Sequence, residues 1–395
     1  MRILVSGAGI AGITVAWWLR RYGFQVTIVE KTPALRSGGY IIDFWGSGFD
    51  VAERMGLLPL IRSKGYQIQQ VRVVDRNSEQ VTSFTADVFS KVVSGRYVSI
   101  AHGDLAEILF ESLPSSIEVI FGDSIEGLEQ SAQDVQVTFE SGKHRPFDLV
   151  IGADGLHSQV RRLVFGPDHN FERYLGYQAA AFEAPGYEPR VELTYVMHTE
   201  VGQQIARFSM RNNRTMFLFT FAERNPHPAN DISSQKSLLR RRFGNSGWEC
   251  PQILAALDRS AELYFDRVSQ IRMELQPALW TKGRVTLLGD AASCVSLLAG
   301  EGSSLTMAAA YLLAGELHSA AGNYARAFAR YQQIFGPFVL RKQKTALRLA
   351  GTFAPKSSFS LLVRNLIFWM MNVPFLARII AKQTVTDRIS LPDYG

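Results

Sequence analysis

Residues 1–30 read MRILVSGAGIAGITVAWWLRRYGFQVTIVE, and the order of residue types in this stretch decides the fold. The pattern predicts a buried strand over 3–5 and a glycine turn, Gly7-Ala8-Gly9-Ile10-Ala11-Gly12. A helix over 13–22 follows, stopped by Gly23, and then a second strand over 25–29 closed by Glu30. Each piece has a physical task. Gly7 permits the tight turn, Gly9 lets a pyrophosphate approach the backbone, and Gly12 lets helix and strand pack closely. The amides at the helix start favour phosphate. Glu30, with Lys31 beside it, lies about 20 residues beyond the glycines, where a carboxylate accepts hydrogen bonds from ribose hydroxyls. The stretch specifies a dinucleotide seat without saying which dinucleotide.

Two later blocks repeat the device of a buried strand that delivers an acid. Short β runs over 117–121, 125–129 and 135–139 lead to Asp148-Leu149-Val150-Ile151-Gly152-Ala153-Asp154-Gly155, with Ser158 and Arg161 beyond. Farther on, Gly283-Arg284-Val285-Thr286-Leu287-Leu288-Gly289-Asp290 runs through Leu297 to Gly300-Glu301-Gly302-Ser303-Ser304. An apolar helix over 305–317 comes next.

These three blocks, in this order and spacing, resemble the class A, single-component FAD-dependent aromatic hydroxylases, a flavoprotein monooxygenase family. The resemblance implies an α/β fold: a Rossmann-like FAD-binding domain, an inserted β-sheet substrate domain and C-terminal helices. It implies that Gly7, Gly9, Ile10, Ala11, Gly12, Glu30 and Lys31 bind the ADP part of FAD, with Arg36 nearby. Asp154 and Gly155 would form a second fingerprint, associated with both FAD and a transient NADH or NADPH. Gly289 and Asp290 would hold the ribityl chain, and Gly300, Gly302, Ser303 and Ser304 would face the isoalloxazine ring. The implied reaction is reduction of the flavin by NAD(P)H, addition of O2 at its C4a carbon, and hydroxyl transfer to a hydrophobic aromatic or polycyclic substrate. The family usually has a large residue where Ser293 stands, Pro at Leu297, often Asn at Ser304 and Asp at Ala309, and Arg at His102. His102 is therefore read either as a replacement cofactor contact or as a helix cap. A flavin-dependent reductase of a lipophilic substrate and a non-catalytic flavin-fold binding protein are the alternatives.

The chain has 395 residues, too many for one ordinary core. The expected division is a FAD domain over 1–75, 98–170 and 283–335, a substrate domain over 76–97 and 171–282, and a C-terminal helical section over 336–395. Apolar residues make up 47% and charged residues 20%, which fits a folded protein. The net charge of +6 comes from scattered basic residues, so no nucleic-acid partner is expected. Cys250 and Cys294 make neither a disulfide framework nor a metal site, and a cytoplasmic location is the simplest reading.

Within 171–282, residues 215–221 alternate strictly, with Phe217, Phe219 and Phe221 on one face. That stripe is read chiefly as core, with one or two rings lining a substrate cavity as the alternative. Arg207 and Leu297 are the other candidate substrate contacts. No uncharged apolar run reaches the roughly 20 residues needed to cross a bilayer. The apolar tail over 360–371 is left with three readings: packed helix, lid, or a helix lying on a membrane surface.

Overall fold

Arg2–Ser6 forms the expected first strand, in the interior of a six-stranded sheet of the computed structural model, which describes residues 1–35, 39–226, 231–273, 280–373, 375–379 and 388–395. Across this sheet the order is Thr281–Lys282, Val285–Leu287, Leu149–Gly152, Arg2–Ser6, Gln25–Glu30 and Glu118–Phe121. All neighbours are parallel except the first two strands, which form an antiparallel pair. Ile3, Leu4, Val5, Val150, Ile151, Val285 and Leu287 are fully buried, as a parallel sheet covered on both faces requires. The helix Ile10–Arg21 packs against the helix Gly302–Ser319. The latter is buried on every side from Ser304 to Leu317, which explains why its sequence is apolar all round.

A second, seven-stranded sheet has the order Tyr264–Ile271, Glu172–Pro185, Arg214–Ala222, Gln203–Met210, Thr194–Glu200, Gln70–Val74 and Gln80–Thr85. One face carries Phe182, Ile205, Phe217, Phe219 and Phe221 against the helices Ile232–Phe243 and Cys250–Arg259. The other carries Ala181, Phe208, Met210 and Met216, packed with Tyr40, Ile41, Tyr66 and Tyr264 on the side of the first sheet.

Strand pairing corrects the expected domain limits. Gln70–Val74 pairs in parallel with Thr194–Glu200, so the seven-stranded sheet begins before residue 76. Thr281–Lys282 belongs to the six-stranded sheet. The expected limit at 335/336 falls inside one helix, Tyr324–Phe353, because Pro337 did not end it. A further helix, Ser358–Met370, lies against the strand Gln80–Thr85. The last residues return to the first unit, where Ile389, Leu391 and Tyr394 pack on its core. Among the described residues no helix is long and apolar enough to cross a membrane.

Candidate functional site

Parallel register brings the three sequence blocks to one edge. Ser6 stands beside Gly152, and Gly152 beside Leu287, so the strands end together. The backbone continues the ladder past them: Gly7 N–H donates to Val29 at 2.7 Å, Ala153 N–H to Ser6 at 2.8 Å, and Leu288 N–H to Gly152 at 2.8 Å. Gly7, Asp154 and Asp290 thus emerge side by side at the carboxyl end of the sheet, the place where open α/β sheets bind ligands.

The first turn is a cradle only glycine can form. Gly7 has a φ of +104°, and a Cβ on Gly12 would lie 1.8 Å from the Gly7 carbonyl oxygen. A Cβ on Gly9 would meet nothing within 4 Å, so space stands open over the start of the helix Ile10–Arg21. That helix has no side-chain cap and no acid in its first turn, which leaves its leading amides for an anion. The buried Ile10 and Ala11 hold the helix to the core. Glu30 accepts from Ala8 N–H at 2.8 Å and from Thr32 N–H at 3.0 Å, which fixes its carboxylate beside the turn. Lys31 is exposed. Open space over glycine backbone, free amides and a fixed carboxylate fit the ADP part of FAD. Arg36 lies outside the described residues.

In the second block the carboxylate of Asp154 is used within the protein. It accepts from Ser158 Oγ at 2.5 Å, Gln159 N–H at 2.8 Å and Val160 N–H at 3.0 Å, and so holds the start of the helix Gln159–Phe165. Gly155 turns the chain at a φ of +79° with open space around it. Arg161 is fully buried and donates to Ala291 at 3.0 Å, to Leu156 at 2.7 Å and to Asp168 at 2.6 Å. It ties this block to the third.

In the third block Gly289 packs where two helix starts meet: its Cβ would lie 3.0 Å from Ala11 and 3.2 Å from Thr306. Solvent reaches Asp290, yet protein surrounds it, the condition of a group on the wall of a deep cleft. Burial raises its carboxyl above the ordinary range, the Cys294 thiol opposes the rise, and the charge of Asp266 adds to it. Gly300 and Gly302 both face open space at the start of the helix Gly302–Ser319, which has no side-chain cap. Ser303 is half-buried, whereas the Ser304 hydroxyl is taken by the Trp45 carbonyl at 2.7 Å. Ser304 therefore secures the helix to the strand Ile41–Trp45. Glu301 pairs with Lys342 at 2.7 Å, both largely buried, and so fixes the turn to the long helix Tyr324–Phe353.

Opposite this edge stand residues without a motif to announce them. The ring of Tyr40 lies 5.8 Å from His102 and 5.5 Å from Tyr264. Burial is the first cause that holds both phenols above their usual range, and the Asp290 and Asp266 charges add to it. His102 does not cap its helix with its side chain; its ring packs on Gly39, and burial pushes its pKa down to about 4. At neutral pH it is an uncharged residue beside Tyr40. Asp266 contacts His157 at 3.2 Å and bridges the two sheets. Among the described residues no group of three or more His, Cys, Asp or Glu is placed to hold a metal.

Four candidate substrate contacts are corrected. Phe217, Phe219 and Phe221 are fully buried on the face turned towards the helices Ile232–Phe243 and Cys250–Arg259, away from the cleft. Arg207 shares that face, since it pairs with Phe217 across the sheet. Its guanidinium is held by Glu249 at 2.8 and 2.9 Å. Leu297 is half-buried in the turn Leu297–Ala299 and packs against the cluster of Tyr177, Ala179 and Val268.

A family model described as FAD binding domain matches residues 1–327. A flavin-dependent monooxygenase of Legionella longbeachae is 34% identical over 398 residues, which cover 100% of this chain and 98% of that protein. Among solved structures, the tetracycline destructase Tet(51) matches with a TM-score of 0.84 at 34% identity, over 100% of this chain and 99% of its own. A variant of Klebsiella pneumoniae HpxO complexed with FAD matches with a TM-score of 0.80 at 22% identity, over 98% of this chain and 99% of its own, a likeness of fold.

Proposed function

The chain belongs to the flavin-dependent monooxygenases built on the FAD binding domain, and from that membership we propose that it uses NADH or NADPH and O2 to hydroxylate a hydrophobic aromatic or polycyclic small molecule. The observation that carries the substrate class is the wall of Tyr40, Tyr264 and uncharged His102 across from Asp290. Such a wall suits flat rings and offers no cation to a small anionic substrate. The destructase named above acts, by its name, on tetracycline, which supports a polycyclic substrate here.

Redox and oxygen chemistry would come from FAD when bound. The chain's own residues would bind, orient and exclude water. Gly9 and the amides of Ile10 and Ala11 would take the pyrophosphate, Glu30 the ribose, and Asp290 the ribityl hydroxyls. The open helix start at Gly300 and Gly302 would stabilise negative charge on the reduced ring. No protein nucleophile is required.

The test is oxidation of NADH and of NADPH by the FAD-loaded protein across a panel of polycyclic phenols, tetracyclines included. Ligand-stimulated oxidation with a hydroxylated product is expected. Bound FAD without stimulation by any ligand would favour a non-catalytic binding protein, and reduction of a lipophilic double bond without oxygen uptake would favour a reductase.

A further inference from the structure

The helix Ser358–Met370 is mounted with its apolar side outward. At helical spacing, Arg364, Phe368 and then Met371 face the protein. Arg364 is 3% exposed and donates to Thr199 at 2.9 Å and Gln204 at 3.3 Å. The Phe368 ring lies 5.1 Å from Phe84, and Met371 is buried beside it. The opposite stripe is Phe359, Leu362, Leu366 and Trp369, exposed by 76, 67, 55 and 59%. Phe375, beyond the helix, is also exposed, by 72%. A helix on a water-facing surface turns its apolar stripe inward, and a contiguous exposed one marks an interaction site.

Charge selects the partner. From Leu317 to Thr386 the sequence holds ten Lys or Arg and no Asp or Glu, although the whole chain is only +6. Arg341, Lys344, Lys356 and Arg378 of this stretch are exposed. Lys356 precedes the outward helix and Arg378 follows it.

We propose that this helix lies on the surface of an anionic bilayer, with Phe359, Leu362, Leu366 and Trp369 in the boundary between headgroups and acyl chains. The basic residues around it attract the lipid phosphates. Its 13 residues are too few to span, so it lies on the membrane. A second copy fits less well, because two such surfaces face to face would bring like charges together. The inference does not rest on the reaction proposed above.

The experiment is flotation of the full-length, FAD-loaded protein with vesicles of phosphatidylcholine alone or with phosphatidylglycerol added, at low and high salt. The protein should float with the anionic vesicles, float less with neutral ones, and lose binding as salt rises. Leu362→Asp with Trp369→Asp should cut vesicle partitioning at least about tenfold and leave flavin content and NAD(P)H oxidation unchanged. Lys356→Glu with Arg378→Glu should remove the preference for anionic lipid. The proposal is overturned if the wild type stays off anionic vesicles at low salt, or if the double Asp variant floats as well as the wild type. It is equally overturned if light scattering finds a dimer that the double Asp variant dissolves while lipid binding is absent.

Discussion

The guanidinium of Arg161 donates to the carbonyl of Ala291 at 3.0 Å, across 130 residues of sequence, and so joins the second acid-bearing block to the third. The same side chain holds Leu156 and Asp168. Arg161→Met would leave the Ala291 and Leu156 carbonyls without their donor, while Asp168 keeps Arg162 at 3.0 Å. The expected loss is about 1–3 kcal/mol in urea unfolding. Flavin retention on gel filtration should fall with it, because Asp290 sits next to the released carbonyl.

Gly9 and Gly12 lie three residues apart and should respond in opposite ways. At Gly12 a methyl group meets the Gly7 oxygen at 1.8 Å, so Gly12→Ala should lower the melting temperature of the apoprotein and abolish flavin binding. At Gly9 nothing lies within 4 Å, so Gly9→Ala should leave the apoprotein as stable as before. Its methyl group would instead occupy the space over the helix start and weaken FAD binding. Thermal melts of the two apoproteins, with flavin titrations, separate the cases.

Arg207 tests the orientation of the seven-stranded sheet. Paired with Glu249 on the face away from the cleft, it is a packing residue. Arg207→Met should destabilise the fold by about 3 kcal/mol, since it leaves a largely buried carboxylate without its cation, held only by the Tyr187 hydroxyl at 3.0 Å. The KM for substrate in the folded fraction should not move. A large rise in KM with unchanged stability would return Arg207 to the site.

The strand–turn–helix–strand unit of residues 1–30 was legible because its constraints are local. Gly7, Gly12 and Glu30 satisfy contacts made within one strand–turn–helix–strand unit, and only glycine fits the two close approaches. The alternation at 215–221 revealed two faces, but not which one looks at the cleft. That choice is made by the helices Ile232–Phe243 and Cys250–Arg259, which cover the phenylalanine side. Likewise Arg207 looked available because its partner Glu249 lies 42 residues away. Tyr40, Tyr264 and Asp266 carry no motif, and only the meeting of the two sheets brings them to Asp290. Ser304 had the right position, but its hydroxyl is spent on Trp45.

His102 gives the fold a dependence on pH with a definite sign. Its pKa is pushed down to about 4 by burial, against roughly 6.5 in an unfolded chain. The stabilisation is complete above the unfolded value and is lost as pH falls towards 4, because the unfolded chain binds the proton first. The loss amounts to about 3 kcal/mol at most. Unfolding of the wild type and of His102→Asn, compared at pH 7.5 and at about pH 4.5, should find the acid-induced loss smaller in the variant.

We propose that this chain places FAD and a ring-bearing substrate together so that one oxygen atom of O2 enters the product. The direct measurement is turnover of a stimulating substrate under isotopically heavy O2, with mass analysis of the product. One heavy oxygen atom per product molecule is expected, with NAD(P)H consumed in step with it. A product without the heavy atom, formed equally well when oxygen is excluded, would contradict it.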